Sequence, residues 1–247
     1  MALVASQFPA EWLCSACGRE FPTLPPPMCP GCGVIGAFSR ADGAGELEAG
    51  GAAPLRSLAE RAPTLRIIPT GLAPVDRLLG GFPPGTATTI YGARGTGKST
   101  IALQIAGGLA ERLRSTALVV CPEMSGELLR RTAGRVTVGL GRLYPSAEPG
   151  EWEAEANELG ARVLLIDSVS RFPRPVETLH AAIEWARAAR GVALLLTHQS
   201  RRGKPLGAVA LEHDTDCVLR VTLRGKRRTL AIDGKCRWAA LGAPVEI

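Results

Sequence analysis

A glycine-rich stretch near the middle of the chain restricts the fold more than any other feature. Residues 92–99 read Gly-Ala-Arg-Gly-Thr-Gly-Lys-Ser, between an apolar run at residues 86–91 and a segment with an aliphatic residue at every fourth position. Such a loop between a strand and a helix directs backbone N–H groups at phosphate, while its lysine reaches the outer phosphates and its serine ligates Mg²⁺. The pattern therefore predicts a P-loop for a nucleotide such as ATP. Its predicted contacts are Gly92, Ala93, Arg94, Gly95, Thr96, Gly97, Lys98, Ser99 and Thr100.

Composition limits the class of protein that carries this loop. The 247 residues are 46% hydrophobic, which is enough for a core, yet the longest apolar runs are only long enough for strands. A membrane span needs roughly 18 apolar residues, and the N-terminus lacks the features of a secretion signal. We therefore predict a soluble, cytoplasmic protein with no membrane partner. The net charge of +6 suits a polyanionic partner, and both ATP and nucleic acid meet that description.

Four of the seven cysteines lie in two Cys-x-x-Cys-Gly motifs near the N-terminus. Two such motifs can place four thiolates tetrahedrally around Zn²⁺, and the glycine after each pair permits a tight turn. An iron–sulfur centre or a redox pair is the alternative, but four thiolates with no open position favour a structural zinc ribbon. The predicted zinc ligands are Cys14, Cys17, Cys29 and Cys32.

The composition changes twice along the chain, and each change predicts a domain boundary. Residues 1–35 form the predicted zinc module. Residues 36–63, rich in glycine, alanine, glutamate and proline, predict a flexible linker with a short helix near residues 54–61. The remaining residues, 64–247, alternate short apolar runs with helical stretches, which is typical of an α/β domain with a mostly parallel sheet.

The pattern in the C-terminal part predicts individual elements. Predicted strands of the parallel sheet are residues 86–91, 117–121, 162–167 and 192–197. Predicted helices are residues 98–114, 126–138, 151–159 and 176–190. Three closely spaced strands follow, at residues 216–223, 229–233 and 235–239, with a basic turn at residues 224–228.

Polar residues follow three of these strands, where ligands of parallel sheets bind. Asp167 ends an apolar strand as a Walker B aspartate does, and would hold Mg²⁺ together with Ser99. Glu123 could polarise the attacking water, although a glutamate that starts a helix is the common alternative. His198 and Gln199 could sense the terminal phosphate. The basic loop at residues 200–207 suits a DNA backbone, or is a solvated charged loop.

The order of these motifs resembles that of the bacterial RadA (Sms) DNA-repair ATPases, which belong to the RecA superfamily. The resemblance extends from the cysteine pairs and the P-loop to six further segments, at residues 66–81, 121–125, 167–169, 198–203, 211–216 and 235–239. It implies a RecA-like P-loop ATPase core preceded by a zinc module. It also implies a DNA-dependent ATPase that acts on single-stranded or branched DNA in recombination and repair, as a helicase or branch-migration motor.

The same resemblance implies roles for individual residues. Glu123 matches the catalytic glutamate, and Lys235 and Arg237 match a basic pair that enters the ATP site of a neighbouring subunit. Activity would then require a homo-oligomer, either a hexameric ring or a filament, with a recombinase or replisome protein as a further partner. Residues that match the DNA-facing loops are Arg171, Arg174, Arg201, Arg202 and Lys204.

The chain also departs from the family pattern. Cys236 and Ala239 replace an asparagine and a glycine around the basic pair, and the Lon-protease-like domain of typical members is expected to be absent. Two other interpretations therefore remain. One is an ATP-dependent switch or scaffold, similar to KaiC-type RecA-fold proteins, that controls partner assembly without translocation. The other is a strand-exchange recombinase of the RecA type, which the zinc module disfavours.

Overall fold

A computed structural model describes residues 12–14, 18–21, 29–30, 38–40, 65–135, 139–200, 203–205 and 213–247. The chain divides into two compact units, Met1–Thr64 and Leu65–Ile247. The predicted helix at residues 54–61 lies outside the described residues, as does the predicted linker apart from residues 38–40. The separation of zinc module and linker therefore stays a prediction.

The first unit contains a small antiparallel sheet. Its strands are β1 (Trp12–Cys14), β2 (Glu20–Phe21) and β3 (Phe38–Arg40), with β1 in the middle. A tight turn follows β1, in which the N–H of Gly18 donates to the carbonyl of Cys14 at 2.8 Å. Gly18 has a φ of 71°, a conformation that favours glycine.

The second unit is built on an eight-stranded sheet with the order β11-β10-β9-β4-β8-β7-β5-β6. All neighbours from β9 to β6 in this order are parallel, while β10 is antiparallel to both β9 and β11. The mostly parallel sheet predicted from the sequence is therefore confirmed. The strands are β4 (Thr86–Gly92), β5 (Ala117–Val120), β6 (Leu143–Pro145), β7 (Val163–Ile166), β8 (Val192–His198), β9 (Cys217–Arg224), β10 (Arg227–Cys236) and β11 (Val245–Glu246).

Hydrophobic residues cover both faces of this sheet, because its central strands are apolar on both sides. In β7, Val163 and Leu165 join one buried cluster, and Leu164 and Ile166 join the other. The helices pack in two layers, with α1, α2 and α3 on the first cluster and α4 and α5 on the second. Their bounds are α1 (Ala73–Leu79), α2 (Lys98–Arg112), α3 (Gly126–Ala133), α4 (Trp152–Glu158) and α5 (Pro175–Ala188). No helix among the described residues has the length and apolar character to cross a membrane.

Most predicted elements agree with the structure to within two residues, but the last two predicted strands do not. The two strands predicted at residues 229–233 and 235–239 are one strand, β10, which has an irregular register between Ile232 and Cys236. A bulge at a glycine lets a strand bend without ending, which the sequence pattern does not distinguish from a turn. The helix predicted over residues 126–138 ends at Ala133, before Gly134. The short elements α1, β6 and β11 were not predicted.

Candidate nucleotide site

The predicted P-loop joins β4 to α2 at the carboxyl edge of the parallel strands. Its conformation depends on glycine, because Gly95 and Gly97 have φ values of 76° and 90°. A side chain on Gly92 would be excluded for a different reason, since a Cβ there would lie 2.3 Å from the carbonyl oxygen of Val221. Thr96 closes the loop by donating its hydroxyl to the carbonyl of Ala93 at 2.9 Å. The glycines and this hydrogen bond therefore define the shape of the loop backbone.

Lys98 is folded back over this loop. Its Nζ donates to the carbonyl oxygens of Gly92 at 3.0 Å and of Ala93 at 2.9 Å, and the residue is 7% exposed. Burial lowers the pKa of Lys98, while the nearby carboxylates of Asp167 and Glu123 oppose that shift. A phosphate group in the loop would replace the two carbonyl oxygens as the partner of the ammonium group.

Asp167 follows β7 and faces Ser99 at the start of α2. Burial raises the pKa of Asp167, and a hydrogen bond from Ser99 and the charge of Lys98 partly offset this rise. A partly buried carboxylate beside a hydroxyl is a donor set of hard oxygens, which is what Mg²⁺ prefers. These two residues therefore fit the predicted magnesium site.

Glu123 lies just after β5 and projects toward the ends of two neighbouring strands. Its Oε1 is 2.5 Å from Nε of Arg171, 3.5 Å from Oγ of Ser168 and 3.8 Å from Nε2 of His198. Burial raises the pKa of Glu123, but the hydrogen bond and charge of Arg171 outweigh it, so that the net pKa is lowered. The carboxylate is therefore ionised but already paired.

The structure separates the two residues proposed to sense phosphate. His198 lies opposite Gly92 in the register of β4 and β8 and turns toward Glu123. Its Nδ1 is buried and has no hydrogen-bond partner among the described residues. The side-chain amide of Gln199 instead donates to the carbonyl of Gly203 at 3.0 Å, within its own loop. Of these two residues, it is His198 that faces the candidate catalytic glutamate, Glu123.

The residues predicted to contact DNA differ in position and in exposure. Arg171 ends a 3₁₀ turn after β7 (Val169–Arg171) and pairs with Glu123, whereas Arg174 is exposed at the start of α5. Lys204 is exposed in the loop after β8. Arg201 and Arg202 lie outside the described residues. The described members of the set thus follow two adjacent strands at the edge that carries the P-loop.

Lys235 and Arg237 lie at the opposite edge of the sheet from the P-loop. Cys236 between them pairs with Cys217, which in turn pairs with Thr88 near the start of β4. Thr88 and Gly92 are four residues apart in β4, a distance of about 13 Å along a strand. Lys235 and Arg237 are therefore not brought to the P-loop of their own chain.

Lys235 and Arg237 both contact residues of their own chain. The Nζ of Lys235 donates to the carbonyl of His213 at 2.7 Å, and Nη1 of Arg237 is 2.7 Å from Oδ1 of Asp216. The other carboxylate oxygen of Asp216 accepts the N–H of Ala87 at 2.9 Å. Arg237 thus also supports the start of β4.

Arg228 is a residue of this site that the sequence patterns did not single out. It is the last residue of the basic turn at residues 224–228 and lies in β10, and a Cβ added to Gly97 would be 2.9 Å from its Nε. Its guanidinium group therefore lies beside the end of the P-loop of the same chain. The basic turn was visible in the sequence, but its position depends on the strand order β10-β9-β4.

A family model matches the part of the chain that contains these features. They are a P-loop after β4, a carboxylate after β7 and polar residues after β5 and β8. The model described as "AAA domain" matches residues 56–205. The chain belongs to this family. The match covers more than half of the chain, and its range includes the P-loop, Glu123, Asp167 and His198.

Individual relatives of this AAA domain carry the name "DNA repair protein RadA". The protein of Mycobacterium tuberculosis is 31% identical over 69% of this chain and 38% of its own length. The protein of Mycolicibacterium smegmatis is 30% identical over 88% of this chain and 52% of its own length. The chain spans about half the length of these two relatives or less. The resemblance to RadA predicted from the motif order is confirmed.

A solved structure supports the fold of the AAA domain. The chain is similar to a KaiC-like protein from Pyrococcus horikoshii, with a TM-score of 0.62 and 22% identity. The match covers 74% of this chain and 94% of that protein. The fold is therefore the RecA- and KaiC-like P-loop fold with a mostly parallel central sheet.

Proposed function

We propose that the chain is an ATPase of the RadA type whose hydrolysis is coupled to single-stranded or branched DNA in recombination and repair. The observation that carries this proposal is the convergence of Lys98, Asp167, Glu123 and His198 around one P-loop. These side chains come from four different elements and supply a cation, two carboxylates and an imidazole. The relatives named for DNA repair support the choice of DNA as partner.

ATP would bind with its phosphates on the N–H groups of the P-loop and the start of α2. Lys98 would leave the carbonyls of Gly92 and Ala93 and contact the outer phosphates. Ser99 and Asp167 would hold Mg²⁺, which neutralises charge on the phosphate oxygens. Arg228 would contact the nucleotide in the same chain, since it lies beside Gly97.

Glu123 would act as the general base toward the water that attacks the terminal phosphate. It is ionised, and it lies at the edge of the sheet where the P-loop opens. A carboxylate activates water by accepting a proton or hydrogen bond from it. His198 would report the state of the phosphate, because it lies between the P-loop strand and Glu123.

The second half of the site would come from a neighbouring subunit in a ring or filament. Lys235 and Arg237 are too far from their own P-loop to stabilise charge on its nucleotide. A head-to-tail assembly brings one edge of a subunit against a different edge of the next. Such an assembly would place the basic pair of one chain beside the ATP of another.

The N-terminal module would bind Zn²⁺ through Cys14, Cys17, Cys29 and Cys32. Cys14 and Cys29 are both buried and belong to one cluster, and Cys14 is followed by a glycine turn. These features fit two ligands of a zinc ribbon. Cys17 and Cys32 lie outside the described residues.

ATP hydrolysis measured with and without single-stranded DNA tests this function. We expect DNA to raise the rate, and we expect Glu123→Gln to keep ATP binding while losing hydrolysis. Hydrolysis that no nucleic acid affects would refute the coupling to DNA and leave the nucleotide-controlled switch. Normal turnover by Glu123→Gln would assign the base to another residue.

A further inference from the structure

The candidate general base of this site is held by a residue of a predicted DNA-binding loop. Nε of Arg171 lies 2.5 Å from Oε1 of Glu123, a short charge-assisted contact. The hydroxyl of Ser168 and the imidazole of His198 approach the same oxygen, at 3.5 Å and 3.8 Å. All three contacts therefore engage one carboxylate oxygen.

This arrangement opposes hydrolysis. An oxygen that accepts a hydrogen bond from a guanidinium group has less capacity to accept one from water. A nearby positive charge also makes a carboxylate a weaker base. Glu123 in this state is ionised but poorly suited to activate the attacking water.

The contact between Arg171 and Glu123 can be replaced by a contact between Arg171 and another anion. The side chain of Arg171 is 54% exposed and that of Glu123 is 33% exposed, so water screens their attraction. Guanidinium groups bind phosphate in a two-pronged geometry that this single Nε contact to Glu123 does not use. A phosphodiester group near Arg171 would therefore compete effectively with Glu123.

Two further basic residues, in the segments that follow β7 and β8, favour the binding of a nucleic-acid strand near Arg171. Arg174 is exposed three residues further along the chain, and Lys204 is exposed in the loop that follows β8. The two loops follow strands that are neighbours in the sheet, β7 and β8. A strand of DNA bound along these loops would bring several phosphates close to Arg171.

We propose that Arg171 is a positioning residue that restrains Glu123 in the absence of nucleic acid, and that a backbone phosphate of bound DNA draws Arg171 away and releases Glu123. This inference rests on the proposed function, since it assumes that Glu123 is the base. It goes further by naming the residue through which DNA controls hydrolysis. Arg171 need not contact ATP at all.

The test compares ATP hydrolysis by wild type and Arg171→Ala without DNA. Loss of an exposed ion pair of this kind changes an equilibrium by about two- to five-fold. We therefore expect kcat without DNA to rise by about that factor, with KM for ATP unchanged. Single-stranded DNA should then add little further stimulation. Arg171→Lys keeps the positive charge and should restore the low rate.

Control measurements separate this effect from general damage. Arg187→Ala removes another exposed arginine, from the last turn of α5, and should leave kcat without DNA unchanged. Thermal melting should show that all three variants are folded. Inorganic phosphate at the concentration of DNA phosphate should stimulate wild type far less than a DNA strand, which is held by several cations at once.

The outcomes distinguish the inference from the function on which it rests. If Arg171→Ala hydrolyses ATP without DNA at the wild-type rate or slower, the inference is wrong even where DNA stimulates the wild type. A variant that is faster without DNA but still stimulated as strongly as wild type would also overturn the release by phosphate. If DNA fails to stimulate wild type, the proposed function is refuted, and with it the release step.

Discussion

Two inactive variants are expected to restore ATP hydrolysis when mixed, if Lys235 acts on the nucleotide of a neighbouring subunit. Lys98→Ala removes the P-loop lysine, and Lys235→Ala removes the basic residue at the opposite edge of the sheet. Because Lys235 lies near the start of β4 and the P-loop at its end, one chain cannot supply both residues to one nucleotide. Each homogeneous variant should therefore be inactive, for different reasons.

The expected recovery follows from counting subunit pairs. In an equal mixture that assembles at random, a site is complete when its P-loop comes from the Lys235→Ala chain and its basic residue from the Lys98→Ala chain. Each condition holds with a chance of one half, so about one quarter of the sites should be active, whatever the ring size. If Lys235 acted within its own chain, no site in the mixture would be complete.

Lys235 is the better of the two basic residues for this experiment. Its replacement removes one hydrogen bond, to the carbonyl of His213, at a cost of about 0.5–1.5 kcal/mol of stability. Arg237 is paired with Asp216, whose carboxylate is only 8% exposed and also binds the N–H of Ala87. Replacement of Arg237 would leave the buried charge of Asp216 unpaired and weaken the start of β4.

Steady-state ATPase assays on preassembled mixtures measure the recovery. A mixture of Lys98→Ala and Glu123→Gln is the matched control, because both residues belong to the same half of the site and no combination completes it. Recovery near one quarter in the first mixture and none in the second is expected. Equal rates in the two mixtures, with mixed assembly demonstrated, would refute the reasoning.

Three further predictions concern other parts of the molecule. Cys29→Ser should lose stoichiometric zinc, measured by metal analysis, and full zinc content in that variant would contradict the assignment. Arg228→Ala should raise KM for ATP by about five-fold with little change in kcat, corresponding to one screened charge contact, whereas Lys226→Ala in the same basic turn should not. Arg171 lowers the pKa of Glu123, so Arg171→Ala should move the acid limb of the kcat profile to higher pH; identical acid limbs below about pH 6 would argue against this coupling.

The fold and the phosphate-binding half of the site could be predicted from local patterns. Apolar runs long enough for single strands, separated by helical stretches, give a parallel sheet. The polar residues that end such strands must then lie at one edge. This is how the positions of Asp167 and His198 near the P-loop could be predicted from sequence alone. The helix at residues 126–138 was predicted too long because its pattern continued beyond Gly134.

Predictions at the C-terminal end were less successful, because sequence spacing there does not distinguish a bulge from a turn. The break predicted between residues 233 and 235 is a bulge inside β10, and the strand continues to Cys236. The register of this strand with β9 decides where its charged residues lie. That register depends on contacts between residues far apart in the chain.

The sequence by itself determined that the chain contains a P-loop, because eight adjacent residues contain the whole signal. It also determined which strands end in residues able to hold Mg²⁺ or activate water. Only the tertiary structure decided which cations reach those residues. Arg228 lies beside Gly97, Lys235 lies far from it, and Arg171 pairs with Glu123, because strand order and register set distances between segments that have no fixed spacing in sequence.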